Sequence, residues 1–400
     1  MTSRRDASLT VTSSPSDSVS APKPVLLIFG TRPEAIKLCP LVYALRSEPF
    51  CNVLRPVVCL TGQHREMLDQ VLDVFQIQPD FDLKLMRPNQ SLAALSSRLL
   101  QELPPVFGQV KPAICLVQGD TTTTFCGALS AFYAGVEIAH VEAGLRTFDL
   151  RNPFPEEMNR VLTSRLAALH FAATEGAARN LIREGISPER IEVTGNTGID
   201  AVLMIRDRLE SGAHSGLNIA LDAGKKLIVV TAHRRESFGS DFENLCRAIA
   251  RLAEREDVQI VWPVHRNPNV TGPVDSILRG KPNVTLVEPL DYLPFVDLMR
   301  RAYLLLTDSG GIQEEAPSLG IPVLVLRHVT ERPEAVTAGT VKLVGTDPER
   351  ILSEATRLLN DAGARENMAR QHNPYGDGHA AARIVKRMAA HLGVALADLP

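Results

Sequence analysis

Short apolar runs recur along this chain, each ending in a polar crest and followed by apolar residues at helical spacing. The first, Val25-Leu26-Leu27-Ile28-Phe29, has no polar interruption, the pattern of a strand buried on both faces of a parallel sheet. It leads into Gly30-Thr31-Arg32-Pro33-Glu34-Ala35-Ile36-Lys37, after which Leu38, Leu41, Val42 and Leu45 mark a helix with Pro33 in its first turn. Val57 to Leu60 leads into Thr61-Gly62-Gln63-His64-Arg65-Glu66 and a helix through Met67, Leu68, Val71, Leu72 and Phe75; Ile114 to Val117 leads into Gln118-Gly119-Asp120-Thr121 and another helix. Ile138 to Val141 carries Glu142-Ala143-Gly144-Leu145-Arg146, and Leu169 to Ala173 and Ile191 to Val193 predict two further strands.

The same grammar restarts at Leu227 to Val230, which ends in Thr231-Ala232-His233-Arg234-Arg235-Glu236. Val258 to Val261 runs to Val264-His265-Arg266, Val284 to Val287 to Tyr292-Leu293-Pro294-Phe295, and Tyr303 to Leu306 to Asp308-Ser309-Gly310-Gly311; Val323 to Leu326 closes the series. Strand, polar crest and helix in repetition predict an α/β protein with two Rossmann-like doubly wound domains. A length of 400 residues also favours two domains over one. Turn-rich Thr194-Gly195-Asn196-Thr197-Gly198 is the natural boundary, giving 24–195 and 196–375, with a last helix, about Gly378 to Leu392 within 376–400, returning to the first domain. Residues 1–23, rich in Ser, Thr, Pro and Ala, read as a disordered tail without the apolar segment of a signal peptide.

The crests hold the chemistry. Ser309-Gly310-Gly311 between a strand and a helix offers free backbone N–H groups to a phosphate, aided by the helix dipole. Glu314 and Glu315 then either complement that dipole or hold ribose hydroxyls. Arg32 and Lys37 read equally as a solvated pair or as an anion clamp at the end of the first strand. Asp120 precedes a threonine run and could cap a helix, whereas Glu142, between Val141 and Ala143-Gly144, has no evident capping role. Glu156 and Glu157, after a proline-rich loop, suit a helix start or delivery into a cleft. His233 beside Arg234 and Arg235 has its protonated form disfavoured by like charge and suits an anion ligand. Tyr292 and Phe295 could stack on a base, although core packing is the more ordinary role for both.

Composition narrows the partners. With 43 Lys+Arg against 46 Asp+Glu the net charge is −3, which carries no nucleic-acid footprint. The six cysteines form no CxxC pair and mostly lie in apolar runs, so they read as reduced core thiols of a cytoplasmic protein. No apolar run is long enough to span a bilayer.

Six crests in order, Gly30 to Lys37, Gln118 to Thr121, His140 to Thr147, Phe154-Pro155-Glu156-Glu157, His233 to Glu236 and Asp308 to Gly311, resemble those of the bacterial non-hydrolysing UDP-N-acetylglucosamine 2-epimerases, and the resemblance spans about Val25 to Gly345. It implies a glycosyltransferase-B type fold and the interconversion of UDP-N-acetylglucosamine and UDP-N-acetylmannosamine, by elimination of UDP to 2-acetamidoglucal and re-addition, with no metal or nicotinamide cofactor. By the same resemblance Asp120, Glu142 and Glu156 are the acid–base set and His233 joins them. Arg32, Lys37, Arg234, Phe295, Ser309, Gly310, Gly311 and Glu315 bind the UDP-sugar. Gln63, His64 and His265 match a second site at which the substrate itself activates; Glu66 stands where some members carry Gln. A homodimer is implied as well. A sugar transferase of the same fold, a hydrolysing 2-epimerase and a non-enzymatic UDP-sugar sensor are the alternatives; a dehydrogenase is disfavoured because the first crest is not G-x-G-x-x-G.

Overall fold

The computed structural model describes residues 21–62, 65–87 and 90–394. Gln63 and His64 therefore lie outside the described residues. Two parallel sheets carry the chain. The first contains β1 (Lys23–Phe29), β2 (Leu54–Leu60), β3 (Phe81–Asp82), β4 (Ile114–Gln118), β5 (Ile138–Val141), β6 (Leu169–Ala172) and β7 (Ile191–Val193) in the order β3-β2-β1-β4-β5-β6-β7. The second contains β8 (Lys226–Thr231), β9 (Val258–Pro263), β10 (Val284–Val287), β11 (Leu304–Thr307), β12 (Val323–Val325) and β13 (Val341–Leu343) in the order β10-β9-β8-β11-β12-β13.

The uninterrupted apolar runs have a direct cause. Val25, Leu27 and Phe29 enter one core cluster while Leu26 and Ile28 enter another on the opposite face, so both sides of β1 are covered by helices. In β8, Leu227 and Val229 likewise join the first cluster, and Ile228 and Val230 a third. Five of the cysteines are buried thiols and Cys51 is half-buried.

The first cluster runs without a break between the sheets, through the helix Thr197–Glu210, whose Ile199, Val202 and Ile205 are buried. The turn-rich stretch read as a boundary is thus partly the start of this helix: the Asn196 side chain accepts the Gly198 N–H at 2.8 Å as its cap. The irregular passage to β8 comes later, at 211–225. The last helix, Ala380–His391, packs on the helix Arg32–Arg46, and Lys23 Nζ donates to the Leu392 carbonyl at 2.9 Å. In each sheet the crests gather at the carboxyl edge, and in the first the order reverses between β1 and β4, opening a crevice there.

Candidate active site

The crests after β4 and β5 hold two carboxylates in contrasting environments. Gly119, at φ +75, turns the chain out of β4, and its carbonyl accepts from His140 Nε2 at 2.7 Å. Asp120 follows but caps nothing, because the next helix is capped by Thr121, whose hydroxyl accepts the Thr124 N–H at 3.1 Å. Instead Asp120 Oδ2 accepts from Arg160 Nη2 at 2.5 Å, and its backbone carbonyl accepts from Asn159 Nδ2 at 2.9 Å. Both partners lie on the helix Glu156–Leu166, which also presents Glu156 in its first turn. Its neighbour Glu157 is buried and accepts the N–H groups of Thr147 and Phe148, so it shapes the loop.

Glu142 sits at φ +61, a conformation that few non-glycine residues hold. Its carboxylate takes Lys37 Nζ at 2.5 Å on Oε1 and Gln118 Nε2 on Oε2, and Asn196 Nδ2 approaches Oε1 at 3.5 Å. The Lys37 and Glu142 side chains are 18% and 8% exposed, so this is a buried pair and not the solvated one that the sequence left open. Asn196 also donates to Glu314 Oε2 at 2.8 Å, and Glu314 is engaged by Arg332 Nε. A chain of ion pairs and hydrogen bonds, joined through the neutral Asn196, therefore runs from the first sheet's edge to the second's.

The two carboxylates are driven apart in proton affinity. Burial pushes Asp120 up, Arg160 opposes it, and the negative charges of Glu142 and Glu156 add to the rise. Burial pushes Glu142 up too, but Lys37, Arg332 and Arg160 outweigh it and hold the carboxyl below its ordinary range. Lys37 shows the complement: burial disfavours its charge, yet Glu142 and Glu314 hold its pKa above the ordinary value.

On the facing edge, Asp308 anchors the histidine crest. Its Oδ2 accepts the N–H groups of His233 at 2.6 Å and Arg234 at 2.7 Å, while Oδ1 lies 3.6 Å from His233 Nδ1. His233 stacks on His265 with centroids 5.1 Å apart and remains 41% exposed. Its pKa falls as expected, but burial is the leading cause, Asp308 opposes it, and His265 and Arg234 contribute less.

Ser309 heads the short helix Gly310–Glu315, its N–H donating to Thr307 Oγ1 at 3.0 Å. Gly310 and Gly311 both have ordinary negative φ, and a Cβ on either would meet nothing nearer than 3.7 Å. The unliganded fold therefore tolerates a side chain at both. Of the glutamate pair, Glu314 is consumed by Asn196 and Arg332, while the carboxyl of half-buried Glu315 is pushed up to about 8, chiefly by burial and then by Glu314, against Lys37 and Arg32. Tyr292 is buried and stacks on Phe75 at 6.4 Å, a core role, whereas Phe295 is only half-buried. Arg32 opens its helix half-buried, close enough in charge to act on Glu315 and Tyr292.

Arg160, Asn196 and Arg332 escaped the sequence reading. Arg160 follows Glu156 by one helical turn, a spacing that could have flagged it; Asn196 and Arg332 act across the cleft and left no local signal. Among the described residues no cluster of three or more His, Cys, Asp or Glu could hold a metal ion, and no helix is long and apolar enough to cross a membrane.

Residues 51–389 match the family model described as UDP-N-acetylglucosamine 2-epimerase. The chain belongs to the UDP-N-acetylglucosamine 2-epimerase family. It is thus an isomerase, with the glycosyltransferase-B type fold. The UDP-N-acetylglucosamine 2-epimerase of Salmonella typhimurium is 56% identical over 373 residues, covering 92% of this chain and 98% of that protein. The crystal structure of the Neisseria meningitidis UDP-GlcNAc 2-epimerase bound to UDP-GlcNAc is 46% identical, with a TM-score of 0.83, covering 92% of this chain and 100% of that one. The Methanocaldococcus jannaschii epimerase in complex with UDP-GlcNAc and UDP is 33% identical with a TM-score of 0.74, covering 92% and 99%.

Proposed function

We propose that this epimerase interconverts UDP-N-acetylglucosamine and UDP-N-acetylmannosamine without net hydrolysis, through 2-acetamidoglucal. The supporting observation is the pair Asp120 and Glu142, on adjacent strand ends, with proton affinities pushed in opposite directions. In the first half-reaction a carboxylate takes the C2 proton, the C2–H electron pair becomes the C1=C2 bond, and the C1–O pair leaves with UDP. In the second, a UDP oxygen attacks C1 and a carboxylic acid protonates C2 on the opposite face. Asp120, Glu142 and Glu156 are the groups for these transfers, each worth about 10²–10⁴ in rate.

The departing pyrophosphate meets Arg32, His233, Arg234 and the amides of Ser309, Gly310 and Gly311; one such preorganised donor is worth about 2.7–4 kcal/mol at the transition state. Glu315 takes the ribose, Phe295 borders the base, and Lys37 holds Glu142 ionised. The two sheets with their helices form domains 24–195 and 196–375, the helix Ala380–His391 completing the first. The enzyme works as a cytoplasmic homodimer supplying N-acetylmannosamine for surface polysaccharide, and a second UDP-N-acetylglucosamine at Gln63, His64 and His265 activates it. The stack of His265 on His233 supports a link between that site and the leaving group.

Proton NMR of the enzyme with UDP-N-acetylglucosamine in deuterated water tests the reaction. UDP-N-acetylmannosamine bearing deuterium at C2 is the expected product, lost in Asp120→Asn. Free N-acetylmannosamine, or epimerised product retaining its C2 hydrogen, would overturn the proposal.

A further inference from the structure

The crevice between β1 and β4 is where a doubly wound sheet ordinarily offers an anion site at a helix N-terminus. Here the chain fills it with its own side chain. Glu34, in the first turn of the helix Arg32–Arg46, is buried, and its Oε2 accepts the Gly30 N–H at 3.0 Å, the Thr31 N–H at 2.8 Å and the Thr31 hydroxyl at 2.8 Å. Its Oε1 accepts the Thr121 hydroxyl at 2.6 Å and, at 3.1 Å, the Thr124 hydroxyl, which is shared with the Gln118 carbonyl at 2.6 Å. One oxygen is therefore spent on the crest that begins with Gly30 and continues to Arg32 and Lys37. The other is spent on the crest that carries Asp120.

We propose that Glu34 is a positioning residue for the epimerisation: its carboxylate occupies the anion cradle of the first sheet and ties the crest bearing Arg32 and Lys37 to the crest bearing Asp120. This rests on the proposed function above. Glu34 bridges two chain segments 87 residues apart directly, in addition to the indirect link from Lys37 through Glu142 to Gln118, and neither crest has a backbone ladder to the other beyond the strand ends. Asp120 immediately precedes Thr121, so the Thr121 hydroxyl that Glu34 receives sets where the β4 crest leaves the sheet. Four donors and a share of the Thr124 hydroxyl converge on this carboxylate; burial raises the carboxyl's proton affinity, and Thr121, Gly30 and Thr31 offset part of the rise. The UDP contacts lie mostly on the other sheet, at Ser309 to Gly311 and Glu315. Removing Glu34 consequently leaves ground-state binding largely in place and disturbs the alignment of Asp120 with the sugar.

The test compares wild type, Glu34→Gln and Glu34→Ala in steady-state epimerisation and in C2 deuterium incorporation, with and without sodium formate and against sodium chloride at equal ionic strength. Glu34→Gln keeps the shape but turns an amide NH₂ toward donors; Glu34→Ala empties the cradle. The expected result is a kcat lowered about 100-fold, the scale of a 1 Å misplacement of a reacting group, with KM changed less than about three-fold. Formate, a free carboxylate of the right size, restores kcat at least about five-fold in Glu34→Ala and leaves Glu34→Gln unchanged; chloride does nothing. Wild-type kcat in a folded Glu34→Gln, a loss confined to KM, or a folded Glu34→Ala that formate does not restore would each overturn the proposal. If Glu34→Ala does not fold, the kcat and KM of Glu34→Gln decide it. Wild-type enzyme that fails to exchange the C2 hydrogen would instead refute the proposed reaction, independently of Glu34.

Discussion

Replacing Lys37 by Met keeps the side chain's apolar stem and deletes the ammonium that lies 2.5 Å from the Glu142 carboxylate. Breaking a buried ion pair from one side costs about 3–5 kcal/mol. Glu142 keeps Gln118 and Asn196 as donors and Arg332 as a nearby positive charge, so the expected loss at pH 7 lies at the lower end, about 3 kcal/mol. The pH dependence is the sharper signature. In the wild type the folded Glu142 pKa lies below its ordinary value of 4.5, so it contributes stability that is present above that value and lost as pH falls through the folded one. With its leading opposing charge removed, burial is expected to outweigh Arg332 and Arg160 and to lift the folded pKa above the ordinary value. The contribution becomes a penalty, absent at low pH and complete once pH exceeds the raised value. Urea denaturation followed by circular dichroism at pH 7 and pH 4 should therefore show the difference from wild type shrinking by about half or more at pH 4. Adding Glu142→Gln to Lys37→Met removes the stranded charge, and the double variant should be more stable than Lys37→Met alone at pH 7. A penalty equal at both pH values, or a double variant no better than the single, would refute the reasoning.

Three further outcomes follow from the geometry. Gly144→Ala should destabilise the protein by more than about 3 kcal/mol in urea titrations, because Gly144 sits at φ +93 and a Cβ there would lie 2.2 Å from the Ala177 carbonyl oxygen. Asp308→Asn turns an amide toward the two N–H groups that its Oδ2 now accepts; crystallography should find the His233–Arg234 crest displaced, and calorimetry UDP binding weakened about tenfold or more, a cost of about 1–3 kcal/mol. With Glu315 as the proposed ribose ligand, UDP binding should release protons between pH 7 and 8.5, since burial pushes its carboxyl up to about 8 and hydroxyl donors favour the carboxylate. Calorimetry in buffers of different ionisation enthalpy reads the release, and Glu315→Gln should abolish it.

The pattern of apolar runs was enough to place eleven strands because most are covered on both faces and so carry few polar residues, buried His140 and His170 being exceptions. β3 has only two residues and β13 is three residues interrupted by Lys342, and the helix Leu92–Val110, capped by Ser91, follows a loop with no long apolar run before it to announce it. Candidate site residues were legible where chemistry and strand end coincide, as at Asp120, Glu142, His233 and Ser309. They were not where a role depends on a distant partner. Glu314 and Glu315 are neighbours in sequence, and only Asn196, 118 residues away, and Arg332 show which of the two is held in the fold. Arg146, within a family crest, is likewise committed to Glu184 and Ser164 and holds the fold, not a ligand.

The return of the helix Ala380–His391 to the helix Arg32–Arg46 sets an order of events during synthesis. Ile384, Val385 and Met388 share a core with Leu38, Leu41 and Leu45 from the beginning of the chain. A ribosome has therefore released everything between these two helices before the first sheet receives this cover. Closing so long a loop costs little more entropy than closing a shorter one, since the term grows only with the logarithm of length. The cost is time: the face of Arg32–Arg46 that awaits this helix stays uncovered throughout elongation, at about 5–20 residues per second, and a nascent chain stalled before its final segment offers that apolar face to chaperones.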